Sequence, residues 1–580
     1  MTTSRPDDHL TWRHWTLGAL VFLSIAAVMV RLYQVQILEH DDFLEQAAVT
    51  RQGAATLPAP RGAILDATGY PLATSVDTWD VYIDRFLWRD QDQAHVAARG
   101  LGDFMGLNPD DLFSAGTEED RGDIIVTRQM DYASGLALEE LDLWGVRLIP
   151  SSRRIYPEGD LAGQLIGYVG REGHGLWGIE SDFDVTLEGR PGWTTIERDA
   201  LGRPIAFSQQ AMKAPVTGGE VQLTIDRFIQ AMAEDTLRAA LQQYEATSGS
   251  IIVMDPHTGA ILAMTSQPSI SLAAVDLNDP NLEALVKNAA VTDLYEPGSV
   301  LKTLTTAMAL DVGQVSPDST YVDEGAVDVG GAVIRNWDLR AYGPVTVREY
   351  LQHSLNTGSV WLSELIGSER FYDYIGKFGL GEATHVGLSG EADGTFRTTS
   401  DPDWTIVDLA TNSYGQGLAV TPLQMLTAVN SLANGGVLMR PFIVSKVIAP
   451  QDVRIYEPVE VRRVVSEETA ATMLALMRDV VEGLEWHGAR VDGYDVAGKT
   501  GTTLVSIPTG YALDSTIASF AGFIPADNPR VSILIKIDQP SGGLNLGGQV
   551  AAPVFADLAA QVMDYLRVPP DYPPNTVATP

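Results

Sequence analysis

The chain has 580 residues, of which 45% are hydrophobic and 20% charged, so it is long enough for two or three folded domains. Its 75 acidic residues outnumber 39 basic ones, and the net charge of −36 argues against binding to nucleic acid or anionic lipid headgroups. The chain has no cysteine, which excludes disulfides, thiolate catalysis and Cys-zinc sites. The nine histidines show no metal-ligand spacing, so we expect no metal and no cofactor.

The first element along the chain is an uncharged apolar run over residues 15–30, which extends to Tyr33 if the Arg31 side chain reaches the membrane interface. A cleavable signal peptide has a similar length, but no small-residue cleavage site follows the run. We therefore expect an uncleaved transmembrane anchor at 15–33. Basic residues precede the run and acidic residues follow it, which predicts a cytoplasmic N-terminus (1–14) and a catalytic domain outside the cytoplasm.

Residues 34–210 combine short strand patterns, glycine-rich passages and a few helical patterns. The segment 61–73 predicts a strand–turn–strand hairpin with its turn at 66–69, and helices are expected around 93–105 and 132–143. No pair of nucleophile and base stands out here. We interpret this region as a non-catalytic pedestal domain of mixed strands and helices.

A further domain is expected over residues 217–566, followed by an extended or disordered proline-rich tail at 567–580. Asp226 can cap a helix, and helical patterns dominate from Ser299 to about Ala433. Strand patterns lie on both sides of this helical stretch, at 220–226, 250–264, 499–502, 519–523 and 530–538, and a closing helix is expected at 550–566. The order predicts one sheet built from both ends of the domain around a mostly helical middle.

Ser299 and Lys302 form the first candidate reactive pair. Pro297 and Gly298 break the preceding element, so Ser299 is expected in the first turn of a buried helix, where a backbone N–H lacks an intrahelical partner. Lys302, three residues on, shares a face with Ser299. A lysine among apolar neighbours can lose its charge and take a proton from a serine hydroxyl. Alone, however, Ser-x-x-Lys is a common spacing that is usually found on solvated helix faces.

Two later stretches change that assessment. Ser354-Leu355-Asn356 supplies Ser-x-Asn, and residues 499–502 read Lys-Thr-Gly-Thr. Ser-x-x-Lys, a serine–asparagine motif and Lys-Thr-Gly, in that order, are typical of penicillin-binding proteins and serine β-lactamases. Here Ser-Leu-Asn stands where Ser-Asp-Asn is the usual form. Three ordered motifs arise by accident far less often than one, so the combination indicates acyl-transfer chemistry.

With these motifs, the chain resembles the class B penicillin-binding proteins, the membrane-anchored transpeptidases of bacterial peptidoglycan, from the anchor to about residue 566. Segments 61–66, 178–180 and 414–417 are similar to that family, and 522–529 is most similar to its division-type, FtsI-like members. The resemblance implies an α+β, multi-domain fold. Its parts would be one N-terminal transmembrane helix, a mixed pedestal of the penicillin-binding protein dimerisation type, and a transpeptidase domain with a β-lactamase-like sheet and a helical subdomain.

The resemblance also implies a role for each motif side chain. Ser299 would attack the carbonyl of the penultimate D-alanine of a stem peptide, with Lys302 as the base. Ser354 would relay a proton to the leaving amine, while Asn356 would hold the substrate amide and Lys302. Lys499 would supply positive charge near the substrate carboxylate.

The rest of the third motif would bind substrate. The hydroxyls of Thr500 and Thr502 would hydrogen-bond the carboxylate, and Gly501 would let the strand approach the substrate closely. Backbone N–H groups of Ser299 and Thr502 would form the oxyanion hole. The acyl-enzyme would then react with an amine of a neighbouring stem peptide. β-Lactams, which mimic the D-Ala-D-Ala end, would leave Ser299 stably acylated.

The family's partners follow from the same resemblance. They are peptidoglycan stem peptides of lipid II-derived strands, β-lactams as covalent inhibitors, and a SEDS-type glycosyltransferase together with other division or elongation membrane proteins. One alternative is a D,D-carboxypeptidase or β-lactamase-type hydrolase, in which water deacylates the enzyme; the pedestal and anchor argue against it. The second is a non-catalytic cell-wall scaffold or β-lactam sensor, which the complete set of catalytic side chains disfavours.

Overall fold

The computed structural model describes residues 8–34, 55–118, 122–194, 212–484, 487–507, 510–541, 543 and 545–573. Its helices are α1 Asp8–Tyr33, α2 Gln91–Met105, α3 Pro109–Thr117, α4 Tyr132–Glu139, α5 Gly163–Ile166, α6 Gly178–Asp182, α7 Asp184–Leu187, α8 Arg227–Gln243, α9 Leu282–Val286, α10 Ala289–Thr292, α11 Lys302–Asp311, α12 Val347–His353, α13 Asn356–Ile366, α14 Ser368–Lys377, α15 Ile406–Asn412, α16 Pro422–Ala433, α17 Glu467–Glu482 and α18 Ala551–Tyr565. Short 3₁₀ turns lie at Leu87–Arg89, Leu272–Ala274 and Gly298–Leu301.

The strands are β1 Ala55–Leu57, β2 Ile64–Leu65, β3 Pro71–Ile83, β4 Ile124–Asp131, β5 Val146–Ile155, β6 Tyr168–Val169, β7 Gly175–Trp177, β8 Gly192–Thr194, β9 Met212–Lys213, β10 Glu220–Leu223, β11 Ser248–Met254, β12 Ile261–Gln267, β13 Thr320–Asp323, β14 Ala326–Val329, β15 Ala332–Arg335, β16 Gly343–Thr346, β17 Thr395–Phe396, β18 Leu418–Ala419, β19 Val437–Met439, β20 Val444–Ala449, β21 Asp452–Ile455, β22 Glu460–Arg463, β23 Ala497–Ile507, β24 Gly510–Ile524 and β25 Val531–Asp538. Two compact units are formed, one from parts of 1–61, 75–153 and 189–218, the other from parts of 62–74, 154–188 and 219–580.

The second unit is organised around an antiparallel sheet with the strand order β12-β11-β25-β24-β23. Helices α8 and α18 pack on one face of this sheet. Phe520 of β24 and Phe555 of α18 are fully buried there, with ring centroids 4.6 Å apart. The two ends of the domain therefore supply one sheet, as predicted, but the strand expected at 220–226 is not part of it, because β10 pairs with β2 and β20 in a separate sheet.

The helical middle is inserted between β12 and β23, and α16 is buried along its whole length. The sequence patterns did not predict β13 to β16, which form two small two-stranded ribbons between α11 and α12. Each of these strands has four residues, too few for an alternating pattern to stand out from its surroundings.

The start of the second unit follows the sequence closely. Asp226 caps α8 as predicted, its Oδ1 accepting hydrogen bonds from Phe228 N at 2.9 Å and Ile229 N at 3.3 Å. The predicted turn at 66–69 is present between β2 and β3, and Asp66 Oδ1 accepts from the backbone of Thr68 and Tyr70, each at 2.8 Å. Strand β2 also lies parallel to β10.

The first unit has its own core, in which Trp88 is fully buried and donates its Nε1 hydrogen to the Trp144 carbonyl at 2.8 Å. Helices α2 and α3 pack together there. Helix α2 begins two residues before the predicted range 93–105, and α4 ends at Glu139, earlier than the predicted 143. A separate ribbon joins β1, β8 and β9.

Helix α1 contains the apolar run. The stretch Trp15–Tyr33 has a mean hydropathy of 2.0 and none of it is buried, so by length and composition this helix could cross a membrane. Its bounds match the predicted span 15–33, although the helix itself begins earlier, at Asp8.

Candidate active site

Ser299 lies in the 3₁₀ turn Gly298–Leu301 that leads into α11. The sequence predicted that an α-helix begins at Ser299, whereas the α-helix begins at Lys302. Residues three apart eclipse one another in a 3₁₀ turn, so Ser299 and Lys302 still face the same side. Gly298 has a φ of +55°, and a side chain there would meet the Thr502 carbonyl of β23 at 2.9 Å. Glycine thus lets this turn lie directly against the strand.

A second glycine closes the other side of the same turn. Gly298 N donates to the Gly415 carbonyl at 3.0 Å. Gly415 has a φ of +86°, and a Cβ there would lie 2.1 Å from the Gly298 oxygen. The loop 414–417 therefore holds the turn from the face opposite β23, which gives that family-like segment a physical role.

Lys302 is completely buried, and its Nζ has three hydrogen-bond contacts. Nζ donates to the Ser354 carbonyl at 2.6 Å, to Asn356 Oδ1 at 2.8 Å and to Ser354 Oγ at 3.3 Å. Burial, reinforced by the positive charge of Lys499, lowers the pKa of Lys302 well below its usual value. The first two predicted motifs are thus brought into direct contact.

Ser354 and Asn356 occupy the junction between α12 and α13. Ser354 ends α12 with a φ of +56°, a left-handed conformation that few residues other than glycine adopt. Such strain is often found at functional sites. Asn356 is the first residue of α13, and its Nδ2 donates to the Arg335 carbonyl at 2.8 Å, so both ends of its amide are held.

The Lys-Thr-Gly motif lies on β23, the edge strand of the five-stranded sheet beside the turn that holds Ser299. Lys499 is 1% exposed, and burial lowers its pKa to about 7. Its Nζ donates to the carbonyl and hydroxyl oxygens of Thr500 at 3.3 and 3.4 Å. Thr502 Oγ1 accepts from Gly547 N at 2.9 Å, which leaves the hydroxyl hydrogen available to donate.

Gly501 has a packing role that the sequence did not indicate. A Cβ at this position would lie 2.3 Å from Ser519 Oγ and 2.7 Å from the Pro297 carbonyl. The missing side chain therefore lets β23 fit between β24 and the turn that holds Ser299. Close approach of a substrate, the reason expected from the sequence, stays a prediction.

Two further groups near the motifs were missed by sequence reasoning. Glu296 accepts hydrogen bonds from Gly417 N at 3.0 Å and from Tyr511 OH at 3.0 and 3.2 Å. His487 is 8% exposed, and burial, followed by the charges of Lys499 and Arg490, lowers its pKa to about 4. The sequence assigns neither residue a role, since both act through contacts between distant segments.

A possible metal group lies apart from the three motifs. Within the part of the chain that the structure describes, His174, Asp184 and Glu188 form the one group whose ligand atoms all lie within 4.8 Å of one another. Two of the three residues are exposed, and exposed acidic groups often cluster without an ion. None of them is near in sequence to Ser299, Ser354 or Lys499.

Two family models match the chain. The penicillin binding protein transpeptidase domain matches residues 249–560, and the penicillin-binding protein dimerisation domain matches residues 56–223. The chain is 31% identical over 559 residues to stage V sporulation protein D of Bacillus subtilis, covering 95% of this chain and 85% of that protein. It is 30% identical over 581 residues to peptidoglycan D,D-transpeptidase FtsI of Escherichia coli K12, covering 98% and 94%.

Solved structures show the same likeness. A peptidoglycan synthetase from Bifidobacterium adolescentis superposes with a TM-score of 0.72 at 28% identity, covering 90% of this chain and 98% of that one. Penicillin binding protein 3 from Mycobacterium tuberculosis, complexed with aztreonam, gives a TM-score of 0.68 at 28% identity with the same coverage of 90% and 98%.

Proposed function

The chain belongs to the class B penicillin-binding protein family and is a peptidoglycan D,D-transpeptidase, and we propose that Ser299 is the nucleophile through which it crosslinks stem peptides. The observation that carries this proposal is the environment of Lys302. This lysine lies three residues after Ser299, is fully buried and has a lowered pKa. A neutral amine beside a serine hydroxyl can accept its proton near neutral pH.

In the first step, Ser299 Oγ attacks the carbonyl carbon of the penultimate D-alanine, and its proton passes to Lys302. The carbonyl oxygen gains negative charge, which the backbone N–H groups of Ser299 and Thr502 stabilise. The carbon–nitrogen bond then breaks, Ser354 passes a proton to the leaving amine, and terminal D-alanine departs. The contact between Lys302 Nζ and Ser354 Oγ supports this relay, because it gives the proton a path between the two groups.

Substrate orientation is assigned to the remaining motif residues. Asn356 holds the substrate amide, while Lys499 places positive charge near the substrate carboxylate. The hydroxyls of Thr500 and Thr502 donate hydrogen bonds to that carboxylate, and Gly501 lies between them on β23. The unused hydroxyl hydrogen of Thr502 supports this assignment.

In the second step, the amine of a neighbouring stem peptide attacks the ester carbonyl, forms the crosslink and restores the Ser299 hydroxyl. β-Lactams acylate Ser299 in the same way but leave a stable ester. The aztreonam complex of the similar mycobacterial protein supports β-lactam binding at this site.

Hydrolytic and non-catalytic alternatives are less well supported. Water in place of the acceptor amine would make the site a D,D-carboxypeptidase or a β-lactamase. The dimerisation-domain match over 56–223 favours the transpeptidase, since a soluble hydrolase needs no such domain. A scaffold or β-lactam sensor would not require the buried lysine pair, whose burial lowers both pKa values.

We also propose that α1 anchors the protein in the cytoplasmic membrane, with residues 1–14 in the cytoplasm and the chain after residue 33 outside. The charge difference across the helix supports this orientation. Likeness to FtsI supports a role in division, with a SEDS-type glycosyltransferase and other division proteins as partners. Protease added outside intact spheroplasts should degrade both units, and full protection would contradict the orientation.

Labelling with a fluorescent penicillin tests the nucleophile. The purified protein should form a stable adduct on Ser299, located by peptide mass spectrometry, and both Ser299→Ala and Lys302→Ala should lose it. Exposed Lys377, which forms an ion pair with Asp373, provides the matched control. Lys377→Ala should label like the wild type.

Other results of the labelling experiment would indicate a different activity or a different reactive pair. Rapid turnover of the penicillin would indicate a hydrolase, and release of D-alanine from a D-Ala-D-Ala peptide without crosslinking would indicate a carboxypeptidase. An adduct on another serine, or full labelling of Lys302→Ala, would overturn the assigned pair.

A further inference from the structure

A buried carboxylate outside the three motifs contacts the segments around the site. Asp323 ends β13 and is 1% exposed. It accepts hydrogen bonds from Thr357 Oγ1 at 2.6 Å, Tyr342 N at 2.8 Å and Gly325 N at 3.1 Å, and Asn336 Nδ2 lies 3.0 Å from both its oxygens. Burial alone would raise the pKa of this carboxyl, but the hydrogen bonds hold it below its usual value.

Asp323 is linked to the site through its partners Asn336 and Thr357, because each of them is next in the chain to a residue of the Arg335–Asn356 hydrogen bond. Asn336 follows Arg335, whose carbonyl accepts the hydrogen bond from Asn356 Nδ2 at 2.8 Å. Thr357 follows Asn356, and Thr357 N donates to Asn336 Oδ1 at 3.3 Å. One carboxylate therefore fixes the residues beside both ends of the Arg335–Asn356 hydrogen bond.

That hydrogen bond decides which way the Asn356 amide points. The Arg335 carbonyl can only accept, so it holds the amide nitrogen and leaves Oδ1 towards Lys302 Nζ, 2.8 Å away. If the amide turned over, its NH₂ group would face Lys302, and a nitrogen that only donates cannot accept a hydrogen bond from the lysine. Correct orientation of Asn356 thus depends on the position of the Arg335 carbonyl.

We propose that Asp323 is a positioning residue that holds the 325–342 segment and the start of α13 together, so that Asn356 keeps its oxygen towards Lys302. The inference rests on the proposed function, because its readout is acylation of Ser299. It assigns no contact with substrate to Asp323. Its effect is transmitted through Arg335 and Asn356.

Two pairs of variants test this positioning. Asp323→Asn should slow acylation by penicillin roughly tenfold to a hundredfold, the cost of a slightly misplaced catalytic group. Thr357→Val, which removes the hydroxyl at nearly constant shape, should slow it in the same direction, while Thr357→Ser should restore most of the rate. Asp328→Asn is the matched control, because that exposed aspartate of β14 bonds only Gly331 N at 3.1 Å among the described residues.

The pH profile separates positioning from general loss of folding. An oxygen that accepts from Lys302 stabilises the protonated amine, so losing it should lower the pKa of Lys302 further. The acidic limb of the acylation profile should therefore move to lower pH in Asp323→Asn and Thr357→Val. A variant that is only less well folded would lose rate equally at every pH.

A double variant completes the test. If Asp323 acts through Asn356, then Asp323→Asn added to Asn356→Ala should cause no further loss of rate. Independent losses that multiply, an unshifted pH limb, or a wild-type rate in Thr357→Val would overturn the inference. Failure of the wild type to acylate at Ser299 would instead overturn the proposed function, so the two failures are distinguishable.

Discussion

Lys302 and Lys499 are two cations buried in one site, and their pKa values are lowered to different extents. Burial lowers the pKa of Lys499 to about 7, while burial and the charge of Lys499 together lower that of Lys302 well below its usual value. The charge of Lys499 acts on Lys302 in addition to burial, so Lys302 is the amine that loses its proton more readily. Repulsion between two nearby cations is what separates a proton acceptor from an anion-binding group.

This separation predicts a bell-shaped pH dependence for acylation. The rate should rise with pH as Lys302 becomes neutral, and fall above about pH 7 as Lys499 in the free enzyme loses its proton. Lys499→Arg, which keeps its charge, should lose the alkaline limb even if its maximum rate is lower. Measurement of second-order acylation constants from pH 5 to 10 checks this. An alkaline limb that is unchanged in Lys499→Arg would assign it to another group.

Glu296 joins three segments that meet around the turn that holds Ser299. Its carboxylate bonds Gly417 N of the 414–417 loop and Tyr511 OH near the start of β24. Burial raises the pKa of Glu296, while these hydrogen bonds oppose that change. The β23–β24 hairpin is thereby fastened to the residue that precedes Pro297 and Gly298.

Removing one hydroxyl should loosen this connection. Tyr511→Phe deletes a hydrogen bond to a carboxylate, worth about 1.5 kcal/mol at a partly exposed site, and should slow acylation by about threefold to tenfold. Backbone amide exchange in β24 near Tyr511 should become faster. Tyr456→Phe, at another exposed tyrosine, should change neither quantity. Unchanged exchange in Tyr511→Phe would show that the hairpin is held by its strand pairing alone.

The order of the elements could be predicted from the sequence, but most contacts within the site could not. Recognisable spacings contain the site residues Ser299, Lys302, Ser354, Asn356 and Lys499. The strand patterns at 250–264 and 530–538 predicted three strands of the sheet. Nothing local indicates the left-handed conformation of Ser354, since it results from the junction of two helices.

Asp323 illustrates the remaining limit. Its strand has only four residues, and its partners lie up to 34 residues away in the chain. Helical and strand periodicities report which side of an element is buried, whereas a carboxylate that bonds four scattered residues leaves no periodic trace. Such residues become visible only when the segments are placed in space.

Across the whole molecule, the second unit is assembled from separate stretches of chain, and Arg154, which forms a buried ion pair within one of them, also bonds another. Arg154 Nε lies 2.7 Å from Glu180 Oε1, and Arg154 Nη1 donates to the Gly62 carbonyl at 2.7 Å. The two side chains are 7% and 0% exposed. The hydrogen bond to Gly62 therefore connects two segments of that unit, 154–188 and 62–74.

Breaking this pair should lower stability without altering the chemistry. Glu180→Gln removes the carboxylate that pairs with the buried Arg154 guanidinium, and should reduce the free energy of unfolding by about 3–5 kcal/mol. Asp452→Asn, which breaks the exposed pair with Arg454, should cost less than about 1 kcal/mol. Thermal unfolding and penicillin labelling of the same samples check both points. Loss of labelling in Glu180→Gln while it is still folded would contradict this separation.

The pairing of β11 with β25 has a consequence for biosynthesis. Met254 lies opposite Ser532, so β11, an interior strand of the sheet, remains without its second neighbour until residue 532 has been made. At 5–20 residues per second, the ribosome needs on the order of tens of seconds to cover that interval. During that time the hairpin β11–β12 presents a row of unpaired N–H and C=O groups beside apolar side chains. The newly made chain is therefore a natural client for a holding chaperone until β25 emerges.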